Sequence, residues 1–464
     1  MRTRLIECQA ILVLGCSLIF LTHASTSAAR STAVVALEGQ TAPDTGGATF
    51  STFDEPFVNN AGDETFNACY TGGSGDGCGT FLWHAGVLSS IVVSGQTITG
   101  IGKVTLTNLD DIDGPIFNNH STVGLVIRNG NNGNVGAVLQ QTLNGPLTII
   151  AKHGDSAPNT NSGKFDDFDD MTQNNNNDFA FIATYTEDAG STFKTGVFLK
   201  PSGSALDSIV LNGDTLPKTN GGTECGTELD DIDGPWMNDS RVVAFIADQI
   251  CGGTVSSGSA FVKRPGNSLE AFVLKGDPAP AAIGGTIDDV AIGRPGLNNS
   301  NTLGFKAELT GGSVSFAILT KTLGSNPIVC VLGNTPAPGT SGQFSDFDPP
   351  AINQFGKLSI ESSVTGDPVT SKGIYTCKNG ILEAIALEGD SKPGTASTYG
   401  NDVSDASLSD DSRVTFIDPA SPRGVFVNVL LNGQVAPALS ERVLIGLLAL
   451  LVSAGVMSIR RRRA

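Results

Sequence analysis

The chain has 464 residues and carries 28 basic against 46 acidic side chains, a formal net charge of −18 at pH 7. So acidic a chain repels nucleic acid and anionic lipid headgroups, which excludes nucleic-acid binding as its function. The 57 glycines, an aromatic content of only 6% and the lack of a long amphipathic helical pattern between the two ends predict an all-β protein with many short strands.

Residues 1–29 have the composition of a secretory signal peptide. Arg2 and Arg4 form a positive n-region, an apolar run follows, and small residues allow cleavage after Ala24 or Ala29. The apolar run is too short to cross a membrane comfortably. Cys16 raises lipidation as an alternative, although apolar residues continue behind it. These features predict an exported protein.

The body of the chain is an internal tandem repeat. One turn recurs at intervals of 55 to 63 residues, at Gly39, Gly95, Gly154, Gly213, Gly276, Asn334 and Gly389. Between successive turns lie four short β-like runs, joined by segments rich in Gly, Ser and Thr. Four-stranded repeats of about 58 residues are typical of propeller blades.

A recurring asparagine joins the first and second runs of most repeats. It occupies Asn59, Asn118, Asn238, Asn298 and Asn353. Asparagine is expected at such a position because its side chain caps turns and because it tolerates left-handed backbone geometry.

The number of runs indicates how the repeats are arranged. First, second and third runs occur seven times, but a complete fourth run follows them only six times. The missing run matches TAVVAL at residues 32–37, and an N-terminal strand that completes the last blade leaves no exposed blade edge. The sequence therefore predicts a seven-bladed β-propeller over residues 31–432, with its ring closed by the N-terminal strand. A β-solenoid or two smaller β-domains are the alternatives.

Six cysteines remain after removal of the signal peptide, which is an even number in a chain bound for an oxidising compartment. Their positions favour three disulfides, within a Gly-rich hairpin, within one repeat and between neighbouring repeats: Cys69–Cys78, Cys225–Cys251 and Cys330–Cys377. Zinc binding is disfavoured because neither a CxxC pair nor a nearby histidine accompanies them.

Acidic runs open most repeats and are the best candidates for a binding site. LDDIDGP occurs twice and contributes Asp111, Asp113, Asp231 and Asp233. Tight turns with several carboxylates suit Ca²⁺, but leucine occupies the first position of an alternating calcium loop in both copies. The alternative is that these aspartates cap turns. If the innermost strands begin here, the aspartates form a ring in the channel and raise one another's pKa unless a cation lies among them.

Catalytic motifs are not apparent. His84, His120 and His153 fall in three different repeats, and the sequence contains neither a nucleophile elbow nor an HExxH pair. Trp236 could stack on a sugar at the rim, but packing between blades is the more common use of such a residue.

The C-terminal segment, residues 435–464, has the order of a sorting signal. A short polar motif precedes an uncharged stretch at 443–459, and an arginine cluster follows; the residues are Pro437, Ala438, Leu439, Ser440, Glu441, Arg460, Arg461, Arg462 and Arg463. The stretch is just long enough for a transmembrane helix whose arginines stay on the cytoplasmic side.

This segment resembles the IPTL-CTERM signal, a relative of the PEP-CTERM tails, although Ala438 stands where threonine is common and Arg442 where tryptophan is. The repeats in turn resemble uncharacterised propeller-like modules that precede such tails. The resemblance implies a transpeptidase of exosortase type as partner, in the inner membrane of a Gram-negative bacterium.

These features predict an exported protein of the cell surface or extracellular matrix that acts as a non-enzymatic binding or structural module. A carbohydrate or another surface protein is the expected ligand, and no cofactor is expected unless Ca²⁺ binds. The alternative is a secreted lyase or hydrolase of the propeller type with a metal in the central channel.

Overall fold

The computed structural model describes residues 31–128, 135–187, 192–217, 232–251 and 254–428. Within these ranges the chain forms seven four-stranded antiparallel sheets, one of them with a short extra strand, and a single 3₁₀ turn at Leu109–Asp111. The prediction of an all-β, seven-bladed propeller is confirmed. No helix in this part of the chain is long and apolar enough to cross a membrane, and the predicted helix at 443–459 lies outside the described residues.

The strands follow the predicted repeat. In chain order they are β1 (Thr32–Leu37), β2 (Thr49–Val58), β3 (Glu64–Thr71), β4 (Gly77–His84), β5 (Val87–Val93), β6 (Thr97–Ile98), β7 (Gly102–Lys103), β8 (Ile112–Phe117), β9 (Thr122–Ile127), β10 (Ala137–Thr142), β11 (Leu147–Lys152), β12 (Lys164–Gln173), β13 (Phe179–Glu187), β14 (Thr192–Lys200), β15 (Asp207–Leu211), β16 (Ile232–Met237), β17 (Val243–Cys251), β18 (Thr254–Lys263), β19 (Leu269–Val273), β20 (Thr286–Ala291), β21 (Thr302–Thr310), β22 (Phe316–Thr322), β23 (Ile328–Leu332), β24 (Gln343–Phe347), β25 (Ala351–Ile352), β26 (Leu358–Thr365), β27 (Lys372–Lys378), β28 (Ile381–Leu387), β29 (Ser404–Leu408), β30 (Val414–Asp418) and β31 (Gly424–Asn428).

Six blades are meanders of consecutive strands: blade 1 is β2–β5, blade 2 is β8–β11, blade 3 is β12–β15, blade 4 is β16–β19, blade 5 is β20–β23 and blade 6 is β24–β28. Blade 7 contains β29–β31, and β1 pairs with β31 as its fourth strand, with Thr32 opposite Asn428. The first strands of blades 1 to 4 contact one another in order, and β2 of blade 1 also contacts β29 of blade 7.

The core lies within and between the blades and is rich in phenylalanine. In blade 1, Phe50 meets Phe81 edge to face at 4.8 Å between ring centroids, and Phe165 meets Phe198 in blade 3 at the same distance. All four rings are at most 1% exposed. Burial of one such side chain stabilises a fold by about 1.5–3 kcal/mol, so these repeated pairs help to specify each blade.

Two disulfides are present among the described residues, and both have the pairing that the sequence favours. Cys69–Cys78 links β3 to β4 within blade 1, and Cys330–Cys377 links blade 5 to blade 6. The predicted pair Cys225–Cys251 lies outside the residues whose side chains are described.

Candidate functional site

The innermost strand of a blade carries a β-bulge beside the central channel. Its pairing with the second strand shifts register at 54–57, 113–116, 168–171 and 233–236 in blades 1 to 4. Unpaired residues of a bulge bend the strand and redirect side chains. We call the position four residues before the recurring turn asparagine (Ser409 in blade 7) the bulge position; it holds Glu55, Gly114, Asp170, Gly234, Arg294, Pro349 and Asp405 in blades 1 to 7.

The backbone is strained at two bulge positions, Glu55 and Asp405, as a comparison with the glycine of blade 2 shows. Gly114 has a φ of 74°, in the left-handed region that glycine enters readily. Glu55 and Asp405 adopt φ values of 44° and 54° at the same position, although they carry side chains. Non-glycine residues in this region cost free energy and concentrate at functional sites. The bulges of blades 1 and 7 are therefore candidates for a role beyond packing.

Arg294 is the basic residue of the bulge positions, and its guanidinium bridges the channel. Its Nη1 lies 3.3 Å from Glu55 Oε1 of blade 1 and 3.2 Å from Asp113 Oδ1 of blade 2, while Nη2 contacts Asp170 Oδ1 of blade 3. One side chain of blade 5 is thus ion-paired with three blades across the ring. Arg294 lines a cavity on each of its two sides, so it divides the channel.

Asp113 lies between two guanidiniums. Besides Arg294, it accepts a hydrogen bond of 2.7 Å from Arg128 Nη2, which also contacts Asp169. Burial opposes ionisation of Asp113, but the charges of Arg294 and Arg128 outweigh it and hold the pKa of this carboxyl well below its usual range. Burial and the repulsion by Asp113 instead raise the pKa of Glu55, against the attraction of Arg294.

On one side of Arg294 the channel opens into a cavity of about 280 Å³. We call this end the acidic mouth, because Glu55, Asp348, Glu361 and Asp405 line it together with Arg294. Glu361 accepts a 2.6 Å hydrogen bond from Lys372 Nζ at one oxygen, and the backbone N–H of Asp405 donates to the other at 3.2 Å. The cavity is therefore bounded by four carboxyl groups and few cations.

Three carboxyl groups of the acidic mouth, those of Glu55, Glu361 and Asp405, resist ionisation. Burial, together with repulsion by Asp348, raises the pKa of Glu361 to about 8 in spite of Lys372. Burial likewise raises the pKa of Asp405, and burial and Asp405 raise that of Asp54 to about 6. Such groups ionise more readily when a positive charge approaches, so the mouth favours a cationic group as ligand.

The opposite end of the channel, the turn mouth, is formed by the recurring asparagines. In blade 2, Asn118 Oδ1 accepts hydrogen bonds from the backbone N–H groups of His120 and Thr122, both at 3.0 Å. The asparagine therefore caps the turn, as predicted. The left-handed residue is not the asparagine but the one three positions later, such as Ser121 with a φ of 62°, so that part of the prediction is wrong.

The same asparagines connect neighbouring blades. The Nδ2 group of each donates to the backbone carbonyl of the corresponding residue in the next blade, at 3.0–3.4 Å, through Asn59, Asn118, Asn174, Asn238, Asn298 and Asn353. Asn174 belongs to this position although its run reads as a polar loop in the sequence. Ser409 occupies the position in blade 7, where its carbonyl accepts from Asn353.

The next residue of each turn completes a second set of contacts, which we call the hydrogen-bond ring. Each backbone N–H donates to the side-chain oxygen of the next blade, at 2.6–3.0 Å, in the circular order Asn60, Asn119, Asn175, Asp239, Asn299, Gln354, Asp410 and back to Asn60. Seven links therefore run without interruption around the turn mouth.

The aspartates predicted to bind Ca²⁺ have different environments. Asp111 Oδ2 accepts hydrogen bonds from the backbone N–H groups of Thr107 and Asn108, so Asp111 caps a turn. Asp113 faces the channel, the equivalent Asp233 is exposed, and Asp231 lies outside the described residues. Oxygens of Asp113, Asp169 and Asp170 lie within 4.8 Å of one another and could share a metal ion, but Arg128 and Arg294 contact all three.

The histidines do not meet the channel aspartates. His84 is hydrogen-bonded to Asp63 at 2.8 Å, His120 to the backbone of Asn175 at the turn mouth, and His153 to the backbone of Asp166 at 2.8 Å. Trp236 is 5% exposed and packs in the core between blades 4 and 5. The sorting motif at 437–441 and the arginines at 460–463 lie outside the described residues.

Sequence reasoning did not identify Arg294 or Glu55. The signal for Arg294 is visible once the repeats are aligned, because IGRP of blade 5 puts an arginine where IDGP of blades 2 and 4 has glycine. A single cation in a position surrounded by acidic residues is the expected partner of those residues.

Comparison with known proteins places the chain in a family. A family described as "Family of unknown function (DUF7453)" matches residues 24–286 and, in a second overlapping match, residues 130–428. Two overlapping matches are expected from a tandem repeat. No curated protein matches the sequence.

Solved propeller structures are similar at low sequence identity. The β-propeller domain of the Trilobed protease from Pyrococcus furiosus has a TM-score of 0.48 at 9% identity, covering 82% of this chain and 94% of that one. An oligogalacturonate lyase in complex with manganese has a TM-score of 0.48 at 11% identity, with coverage of 87% and 98%. The α-L-arabinanase of Penicillium chrysogenum, complexed with arabinobiose, has a TM-score of 0.35 at 10% identity, with coverage of 86% and 97%.

Proposed function

The chain belongs to the DUF7453 family, and we propose that it is an exported, non-enzymatic binding module that holds a positively charged group at its acidic mouth. The group belongs to a polymer or a protein of the cell surface or extracellular matrix. An amino sugar or a lysine side chain has the required charge and size.

The observation that carries this proposal is the excess of carboxyl groups around the cavity. Glu55, Asp348, Glu361 and Asp405 line a space of about 280 Å³, and Arg294 closes its inner end. An ammonium group in this space offsets the burial and the repulsion by Asp348 that raise the pKa of Glu361 and Asp405. Binding therefore releases protons from the carboxyls and strengthens as the pH rises, up to the pH at which the amine of the ligand loses its own proton.

Isothermal titration with glucosamine oligomers and their N-acetylated counterparts tests the proposal, since the two differ in charge. We expect the free amine to bind and the acetylated form to bind at least about tenfold more weakly, a difference of about 1.4 kcal/mol. The variant Glu361→Gln should weaken amine binding, whereas Glu270→Gln, which alters an ion pair with Arg264 on the blade 4 surface, should not. Equal binding of both oligomers argues against the proposal, and binding of oligolysine alone assigns a protein ligand.

The export route is part of the same proposal and rests on the sequence. Cleavage near Ala29 leaves residues 32–37 close to the new amino terminus, where β1 closes the ring against β31. A transpeptidase of exosortase type then recognises the motif at 437–441 while residues 443–459 span the inner membrane. Intact mass of the surface form tests both cleavages, and retention of either end contradicts this route.

The alternative, a lyase or hydrolase with a metal in the channel, is supported by one feature. Asp113, Asp169 and Asp170 are close enough to share an ion. A divalent cation there, Ca²⁺ included, competes with the guanidiniums of Arg128 and Arg294 for the same oxygens. Metal analysis of protein purified in excess Ca²⁺ or Mn²⁺ distinguishes the two functions, because the binding module retains neither ion at this position.

A further inference from the structure

A second cavity, separate from the channel, lies between blade 1 and blade 7. We call it the seam cavity; it has a volume of about 390 Å³. The first turn and the outer hairpin of blade 1 contribute Asp63, Glu64 and Trp83, and blade 7 contributes Arg413 and Asn428. A site of this size holds a small ligand rather than a single ion or water.

The seam cavity contains two departures from the repeat, directly opposite each other. Glu64 pairs with Trp83 across β3 and β4. The position of Glu64 is apolar in all other blades, as Val123, Phe179, Val243, Leu303, Leu358 and Val414. The position of Trp83 is held elsewhere by Gln141, Lys200, Lys263, Lys321, Cys377 and Asn428. Residues that depart from the pattern of the other repeats are expected at functional sites.

The buried polar groups of the seam cavity are held in fixed positions. Glu64 is 1% exposed and accepts a 2.8 Å hydrogen bond from Thr415 of blade 7. Asp63 is hydrogen-bonded to His84 at 2.8 Å through one oxygen and to Asn59 Nδ2 at 3.3 Å through the other. Positioned groups of this kind orient a ligand, because they do not have to be ordered when it binds.

Arg413 carries a hydrogen-bond donor that has no acceptor among the described residues. Its Nη2 lies 3.2 Å from Asp411 Oδ2, but its buried Nη1 has no hydrogen-bond partner among the described residues. The guanidinium rests against Gly62, where a Cβ atom would lie only 1.8 Å from Nη1. A buried donor without a partner is costly, so a ligand oxygen that accepts from Nη1 binds favourably.

We infer that the seam cavity binds an uncharged sugar residue, with the half-buried indole of Trp83 against the sugar ring and Glu64 and Arg413 hydrogen-bonded to its hydroxyl groups. Aromatic faces combined with a few oriented polar groups suit such ligands. The charged groups of the cavity already have partners, since Asp63 is hydrogen-bonded to His84 and Arg413 is ion-paired with Asp411, so an ionic ligand gains little.

The charge state of Glu64 supports a neutral ligand. Burial raises the pKa of Glu64 to about 8, against the hydrogen bond of Thr415 and the charge of Arg413. The side chain is therefore protonated at neutral pH and can donate a hydrogen bond to a hydroxyl oxygen. The strongly acidic chain as a whole also disfavours anionic polysaccharides.

Tryptophan fluorescence offers a direct test, since the chain has two tryptophans and Trp236 is buried in the core. The probes are neutral oligosaccharides, namely maltohexaose, cellohexaose and xylohexaose, added at millimolar concentration. We expect at least one to change the emission of Trp83 saturably. The variants Trp83→Gln and Glu64→Leu place residues that other blades carry at these positions, and each should weaken binding about tenfold or more in calorimetry.

Control variants separate this inference from the proposed function. Glu383→Gln alters the corresponding cavity between blades 6 and 7 and should leave sugar binding unchanged, as should Glu361→Gln at the acidic mouth. Melting temperatures establish that the seam variants remain folded. Lack of saturable binding to all three probes, or binding that survives Trp83→Gln, overturns the inference whatever the result with amines.

Discussion

The two mouths of the channel are built by different kinds of residue. The turn mouth repeats one asparagine position from blade to blade, and its uncharged hydrogen bonds join neighbouring blades. The acidic mouth depends on residues that differ between blades, and Arg294 joins blades that are not neighbours. The repeated asparagines thus hold neighbouring blades together, whereas the charged site is formed by residues that differ from blade to blade.

Replacement of the bridging cation should have the largest effect on stability. In Arg294→Met the buried Asp113, and with it Glu55 and Asp170, lose their partner across the channel. Arg128 still pairs with Asp113, but the carboxyl groups clustered around the lost guanidinium then repel one another, so we expect a loss of about 3 kcal/mol in the free energy of unfolding. Denaturation by urea at neutral pH measures it.

The matched control is Arg264→Met. Arg264 forms a two-point ion pair with Glu270 on the surface of blade 4, at 2.7 and 2.8 Å. Exposed pairs contribute at most about 1 kcal/mol. Similar losses for the two variants would show that the channel network does not stabilise the ring.

Loss of one asparagine of the turn mouth should have an intermediate effect. Asn238 is 2% exposed, accepts from the N–H groups of Ser240 and Val242, and donates to the carbonyl of Asn298. Asn238→Ala leaves the buried N–H of Val242 without its partner and removes the bond to the next blade, which costs about 2 kcal/mol. Asn267→Ala, at an exposed turn of the same blade, should change the free energy of unfolding by less than about 0.5 kcal/mol.

The last effect is a dependence of stability on pH, and it distinguishes the two mouths. The pKa of Glu361 is raised from 4.5 to about 8 in the folded chain, so the folded state binds more protons between these values. Its contribution to stability is complete below pH 4.5 and is lost as the pH rises to about 8.

Glu361→Gln removes this titration. Between about pH 5 and pH 8 the wild type should lose about 1 kcal/mol per pH unit relative to this variant in chemical denaturation, or about 4 kcal/mol for the full titration. Asn238→Ala should shift stability by the same amount at both pH values, because no titrating group is altered. A pH-independent difference for Glu361→Gln would contradict the raised pKa.

Much of the fold is predictable from the sequence because the same pattern of strands and turn residues recurs seven times. The recurring asparagine indicates a capped turn, and the four runs give the strands with small differences at their ends; Thr32–Leu37 has the predicted bounds. The left-handed residue was misplaced, since the turn requires that geometry three positions after the asparagine. The sequence pattern alone does not show which residue of a turn adopts the left-handed backbone conformation.

The charged site was predictable only in part. The acidic runs predict carboxylates around a channel, and Asp113 is there. Arg294 lies some 180 residues further along the chain, and the sequence around Asp113 does not indicate that Arg294 is its partner. The seam cavity depends in the same way on side chains that meet only when blade 7 lies beside blade 1, as with Glu64 and Thr415.

The pairing of β1 with β31 has a consequence for how the protein is made. Thr32 lies opposite Asn428, so the partner of the first strand is synthesised about 400 residues after it. Until then β1 presents an unpaired edge, and edges of this kind associate with other chains. Contacts so distant in sequence also form slowly. The early segment therefore benefits from a chaperone that covers this edge until β31 has been made.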